Sequence, residues 1–131
     1  MQVERVTWGG LSTVVVHHLP AGTPPQLAVI LCHGFGAPGA DLVGLVQPLL
    51  EAEPELAEQA AFIFPAAPLD LSSRGIPGGR AWWMIDLNRL IYGPPPDLLE
   101  RFRRECPVGL PEARGALLKV IDQAGQHFGL T

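Results

Sequence analysis

The sequence predicts an α/β domain: a β-hairpin, then parallel strands with helices on both faces. Three observations predict it. Two strand-like runs flank the pair Gly9-Gly10. A short all-apolar run, Leu27–Cys32, leads into residues with a helical period. A second apolar run, Ala60–Phe64, follows that helix, and another helical stripe closes the 131-residue chain.

Val3–Trp8 alternates loosely, and Leu11–His18 runs through Val14-Val15-Val16. A Gly-Gly pair between two such runs is a hairpin signal. Residues 19–25 are a loop by composition, and Leu27–Cys32 reads as a strand buried on both faces. From Asp41 the period changes: Leu42, Leu45, Val46, Leu49 and Leu50 share one helical face. Pro48 implies a kink or an early stop there. Ala60–Phe64 is the next strand, stopped by Pro65. Residues 65–96 form a long loop rich in Pro and Gly, and its Trp82-Trp83-Met84 argues for order and function. Asp97–Cys106 reads as a short helix with Leu98, Leu99 and Phe102 inward. Pro111 opens a last helix with the stripe Ala113, Ala116, Leu117, Val120, Ile121, Ala124 and Phe128. Gly129 is its stop. Strands separated by helices imply parallel pairing.

Length and charge narrow the function classes. Residues 1–131 amount to one domain on length, burying roughly two-thirds of the unfolded surface if it folds alone. Hydrophobic residues make up 47% of the chain and the net charge is -4. No basic cluster exists, so nucleic acid is not an expected partner. The first residues lack the pattern of a signal peptide, and no run is long enough to span a membrane. Two cysteines make no disulfide framework, and a reduced, cytoplasmic setting is the default expectation. Cys32 reads as a buried small hydrophobe. Cys106 follows an arginine-rich segment that would favour its thiolate, but a catalytic role is not expected of it. No His, Cys, Asp and Glu spacing suits a metal, and no cofactor is expected.

Chemistry concentrates at Leu31-Cys32-His33-Gly34-Phe35-Gly36. A His-Gly-x-Gly turn after a strand can aim backbone N–H groups at a developing oxyanion. Gly34, Gly36 and Gly39 also match the dinucleotide pattern G-x-G-x-x-G. The end of the next strand supplies no acidic residue for a ribose hydroxyl, and a hairpin precedes the motif, which both count against that reading. A plain glycine turn with no ligand is the third possibility.

Phe64-Pro65-Ala66-Ala67-Pro68 and Gly78-Gly79-Arg80-Ala81-Trp82-Trp83-Met84-Ile85-Asp86 follow in order. With the His-Gly-Phe-Gly turn and Asp41, these stretches resemble the phospholipase/carboxylesterase branch of the α/β-hydrolases, which includes acyl-protein thioesterases. The resemblance covers essentially the whole chain. It implies the N-terminal part of an α/β-hydrolase fold, with residues 1–131 an incomplete domain. It also implies an oxyanion loop of His33, Gly34, Phe35 and Gly36, with the Phe35 N–H as donor and His33 as brace. Leu69, Trp82, Trp83 and Met84 would line the substrate pocket, although Trp82 and Trp83 serve equally as core anchors. Arg80 and Asp86 would pair to hold the loop.

The same resemblance exposes a gap. Such enzymes use a G-x-S-x-G nucleophile, then an Asp, then a His. The serines here are Ser12, Ser72 and Ser73, none in that pattern. His17, His18 and His127 read as surface residues. The triad is therefore expected outside residues 1–131, and the chain alone is expected to be inactive on its small ester substrate. The implied fold leaves the Leu27–Cys32 strand as an open apolar edge. Such an edge invites pairing, either with a complementary C-terminal hydrolase fragment or with another copy, and a lone monomer is not expected to be stable. A non-catalytic interaction module on the same scaffold is the alternative from another class.

Overall fold

The computed structural model of the chain describes residues 1–85, 92–93 and 96–130. The strands are β1 (Gln2–Trp8), β2 (Leu11–His17), β3 (Leu27–Ile30), β4 (Ala60–Pro65), β5 (Leu69–Asp70) and β6 (Arg80–Ala81). The helices are α1 (Val46–Ala52), α2 (Leu56–Gln59), α3 (Leu98–Arg104) and α4 (Leu110–Phe128). A four-stranded sheet runs β1-β2-β4-β3, and β5 and β6 form a separate two-stranded ribbon. The hairpin closes through Gly9 and Gly10 in the left-handed region, the backbone of a two-residue hairpin turn. β2 pairs antiparallel with β4, and β3 pairs parallel with β4.

Side-chain alternation builds two cores, one on each face. Val14, Val16, Phe62 and Phe64 point to one face, where Val46 and Leu50 cover them. Val15 and Ile63 point to the other, under Val120 and Ala124 of α4, with Trp8 and Leu11 closing the end. β2 and β4 lie in the middle of the sheet, and β4 is buried along its whole length. That is the reason its sequence shows no alternation.

Several elements differ from expectation. β3 stops at Ile30, and Leu27–Ile30 is only half-buried. A continuous apolar run looks the same in a central strand and at a sheet edge. Cys32, past the strand, is exposed rather than buried. Partial desolvation still pushes its thiol pKa up, which keeps it protonated at neutral pH. The helix expected from Asp41 begins as a 3₁₀ segment, Asp41–Leu45. Three residues per turn rotate the stripe, so Leu45 and Leu49 face solvent while Val46 and Leu50 are buried. Pro48 falls in the first turn of α1, where a missing N–H costs nothing.

The loop after Pro65 contains the β5–β6 ribbon and a 3₁₀ turn at Ser72–Arg74. On α4, Pro111 lies in the first turn and Gly129 caps the end, while Ile121 is exposed. His17 and His18 are half-buried rather than on the surface, and His127 is exposed beside Trp8. The arginines before Cys106 are engaged with Glu100 and Glu105. The inward turn expected of Leu98, Leu99 and Phe102 lies outside the described residues. Among those described, no helix is long and apolar enough to cross a membrane.

The rotated stripe has a direct check in urea unfolding. Leu50→Ala should cost about 2–5 kcal/mol, because it opens a cavity in the core. Leu45→Ala should stay within about 0.5 kcal/mol. Equal costs would return Leu45 to the buried face.

Candidate functional site

The ends of β3 and β4 lie side by side because the two strands are parallel and in register. Leu31 still donates its N–H to the Ile63 carbonyl at 2.9 Å. Beyond it, both chains leave the sheet, and polar side chains replace the ladder. His33 carries most of that replacement. The Ala67 N–H donates to His33 Nε2 at 3.0 Å. A backbone amide can only donate, so Nε2 is unprotonated and Nδ1 carries the hydrogen. Nδ1 lies 2.8 Å from the Gly34 carbonyl oxygen and donates to it. Both ring nitrogens are thus committed on a residue that is 3% exposed. His33 is placed as a brace and has no nitrogen left for proton transfer.

Trp82 completes the brace from the other side. Its Nε1–H donates to the His33 carbonyl at 2.8 Å, and the two rings lie 5.5 Å apart. The indole also packs against the core face that holds Val15 and Ile63. Trp82 therefore anchors the turn to the core. Arg80 was expected to meet Asp86, which lies outside the described residues. Among the described residues its guanidinium donates to the Ala67 carbonyl at 2.6 Å and the Pro68 carbonyl at 3.2 Å. This fastening was missed in the sequence, because a Pro-Ala-Ala-Pro stretch shows no side chain to pair with an arginine. Its signal was the missing donor: two prolines leave carbonyls to be satisfied.

The turn itself is fixed by backbone bonds. Gly36 donates to the Arg80 carbonyl at 2.9 Å, and Arg80 donates back to Ala37 at 3.0 Å. Ala37 donates to Gly34 at 3.3 Å. Gly36 has φ +84°, which a side chain would strain. Gly79 permits the close approach of the two segments: a Cβ there would lie 2.7 Å from the Gly36 carbonyl oxygen. Among the described residues, no acceptor meets the Phe35 N–H. Nothing stands within 4 Å of where a Cβ on Gly34 would be. The His33 and Gly34 amides also meet no acceptor among the described residues, so the turn presents uncommitted N–H groups up to Phe35, ahead of the committed Gly36 and Ala37.

The dinucleotide reading fits this geometry poorly. The Gly36 and Ala37 amides are taken by carbonyls, and Gly39 packs onto Ala66. A 3₁₀ segment follows the turn rather than an α-helix N-terminus.

Of the remaining candidates, Leu69 pairs with Ala81 in the ribbon and is half-buried. Trp83 and Met84 are half-buried after β6, with Trp83 packed close to Gly109 at the start of α4. Ser72 is in a turn: its N–H donates to Asp70 Oδ1 at 2.9 Å. The hydrogen bonds from Ser72, backbone then side chain, and the nearby Arg80 charge hold the Asp70 carboxyl below its ordinary value. Among the described residues, none of the three serines hydrogen-bonds a histidine. His17 Nδ1 accepts from the Leu19 N–H, and His127 packs tilted against Trp8 and edge-on against Phe128. Among the described residues, no group of His, Cys, Asp and Glu could hold a metal ion.

Two results are expected from this geometry. His33→Ala leaves the buried Ala67 N–H without an acceptor and should destabilise the chain by about 1–3 kcal/mol. Hydrogen exchange at Ala67 should accelerate with it; unchanged protection would remove His33 from its bracing role. Asp70, with its pKa depressed in the folded state, stabilises the ribbon above the unfolded value and loses that contribution as pH falls through the folded one. Its carboxyl should titrate below 3.8 by NMR, and Ser72→Pro should move the midpoint back up.

No family model matches the chain, and no curated protein sequence does. Among solved structures, one described as the crystal structure of esterase PE8 is similar, with a TM-score of 0.62 at 23% identity. The match covers 92% of this chain and 47% of the esterase. The chain thus spans about half the length of that neighbour. The likeness establishes an α/β fold shared with part of that neighbour, and it fits the N-terminal part of an α/β-hydrolase fold.

Proposed function

We propose that residues 1–131 are the N-terminal part of a serine carboxylic-ester hydrolase and supply one half of its site. The observation that supports this best is the Phe35 N–H. Like the His33 and Gly34 amides before it, it is left without an acceptor among the described residues, while the Gly36 and Ala37 amides after it are committed. A donor fixed before substrate arrives costs no reorganisation when negative charge develops. The esterase-like fold supports the same class of chemistry, and Trp83, Met84 and Leu69 are the residues proposed to wall the acyl pocket.

In the complete site, a serine from a segment outside residues 1–131 attacks the ester carbonyl. The carbonyl oxygen takes the negative charge and accepts the Phe35 N–H. The C–O bond to the alcohol breaks, and the alcohol leaves with the proton taken from the serine. Water then attacks the acyl-serine, releasing the acid and restoring the hydroxyl. A histidine and a carboxylate from the same outside segment move the protons, since both His33 nitrogens are occupied. Carboxylesters of short to medium acyl chains, thioesters and lysophospholipids are the substrate classes the phospholipase/carboxylesterase resemblance implies. A reduced cytoplasmic setting belongs to the same proposal.

A fluorophosphonate probe tests this on any longer polypeptide or complex containing residues 1–131. It should label a serine outside them. Phe35→Pro, which deletes only the proposed donor among the turn's amides, should lower kcat by about 10²–10³-fold. A complex that binds tightly but is never labelled would mark the chain as a non-catalytic interaction module.

A further inference from the structure

The turn from His33 to Ala37 is held at both ends, and the two holds meet on one residue. At its start, the His33 imidazole accepts the Ala67 N–H at 3.0 Å. At its end, Gly36 donates to the Arg80 carbonyl at 2.9 Å, and Arg80 donates to the Ala37 carbonyl at 3.0 Å. The Arg80 side chain then returns to the same place. Its Nε–H donates to the Ala67 carbonyl at 2.6 Å, and Nη2 donates to the Pro68 carbonyl at 3.2 Å. Ala67 is fully buried. Its N–H thus fixes one end of the turn and its carbonyl the other, with Phe35 between them.

The chemistry of Arg80 suits the second hold. Nε and Nη2 lie on one edge of a planar guanidinium, so they reach two successive carbonyls together, whereas a lysine ammonium is a point donor on a flexible stem. Hydrogen bonds from a charged donor are about twice as strong as neutral ones. The hold is needed because β6 has two residues and pairs with a β5 that is equally short. Without the guanidinium, the backbone pair to Gly36 and Ala37 would rest on that short ribbon, and the turn would be free to pivot about His33.

We propose that Arg80 is a positioning residue for ester hydrolysis: acting through Gly36 and Ala37, it sets the angle at which the Phe35 N–H meets the oxyanion. This role rests on the ester-hydrolase reading of the turn. Negative charge develops there only in the transition state, so a misaimed donor lowers kcat and spares KM.

The test uses a longer polypeptide or complex containing residues 1–131, with p-nitrophenyl butyrate as substrate. Arg80→Lys keeps the charge and one donor, and should lower kcat by about 10–10²-fold with KM nearly unchanged. Hydrogen exchange at the Gly36 amide should accelerate in this variant, while the Ala67 amide, held by His33, keeps its protection. Arg80→Ala vacates the guanidinium site, and millimolar guanidinium chloride should restore its kcat several-fold where equal sodium chloride does not. An Arg80→Lys variant with full kcat, or with its loss confined to KM, would overturn the role. So would equal acceleration at Gly36 and Ala67, which would make Arg80 a support of the fold at large. These outcomes leave the ester-hydrolase reading standing. An unsubstituted polypeptide that is neither active nor labelled by a fluorophosphonate overturns that reading, and the role of Arg80 with it.

Discussion

Where β3 and β4 end, the sheet loses its ladder, and the imidazole of His33 takes its place. It accepts from Ala67 on one strand's exit and donates to Gly34 on the other's. A single ring thereby sets the distance between two backbone segments that would otherwise diverge. Trp82 holds the His33 carbonyl from below. Arg80 holds Ala67 and Pro68 through its side chain and Gly36 and Ala37 through its backbone. The ribbon, the turn and the β4 exit are therefore one fastened unit. Its rigidity depends on His33 being neutral with the hydrogen on Nδ1. The positioned Phe35 amide is a consequence of that fastening, because the Gly36 and Ala37 amides that follow it are drawn to carbonyls.

Much of this was legible in the sequence for plain reasons. Gly9-Gly10 between apolar runs specifies a hairpin, and the unbroken Ala60–Phe64 run specifies a strand buried on both faces. The α4 boundaries follow from Pro111 and Gly129. The His-Gly-Phe-Gly turn is readable because few backbones need glycine on both sides of one residue after a strand. The misread parts have physical causes as well. Leu45 and Leu49 leave the stripe because a 3₁₀ segment precedes α1, and periodicity drawn at one pitch cannot show a change of pitch. Cys32 is exposed because β3 ends two residues before it. The β5–β6 ribbon has strands of two residues each, too short for any alternation. Arg80's carbonyl partners carry no side-chain signature at all.

The chain carries two unmet demands of different kinds. One is chemical and belongs to the proposed function: a fixed amide beside open space, with no G-x-S-x-G serine in the 131 residues. The other is structural: an uncharged strand edge against an apolar helix flank. The β1 edge carries Glu4 and Arg5, whereas residues 26–31 beside the β3 edge carry no charge. Whatever pairs there lies next to the β3 exit, and so next to the His33–Gly36 turn. In the proposed enzyme, the strand edge of β3 leads directly into the turn that carries the Phe35 amide.

The Phe35 amide offers the most direct measurement. In a complex trapped as its phosphonyl-serine adduct, the Phe35 amide proton should shift downfield and become protected from exchange on binding. Gly36 and Ala37, already bonded in the free chain, should change little. A Phe35 amide that exchanges as fast in the adduct as in the free chain would contradict the account.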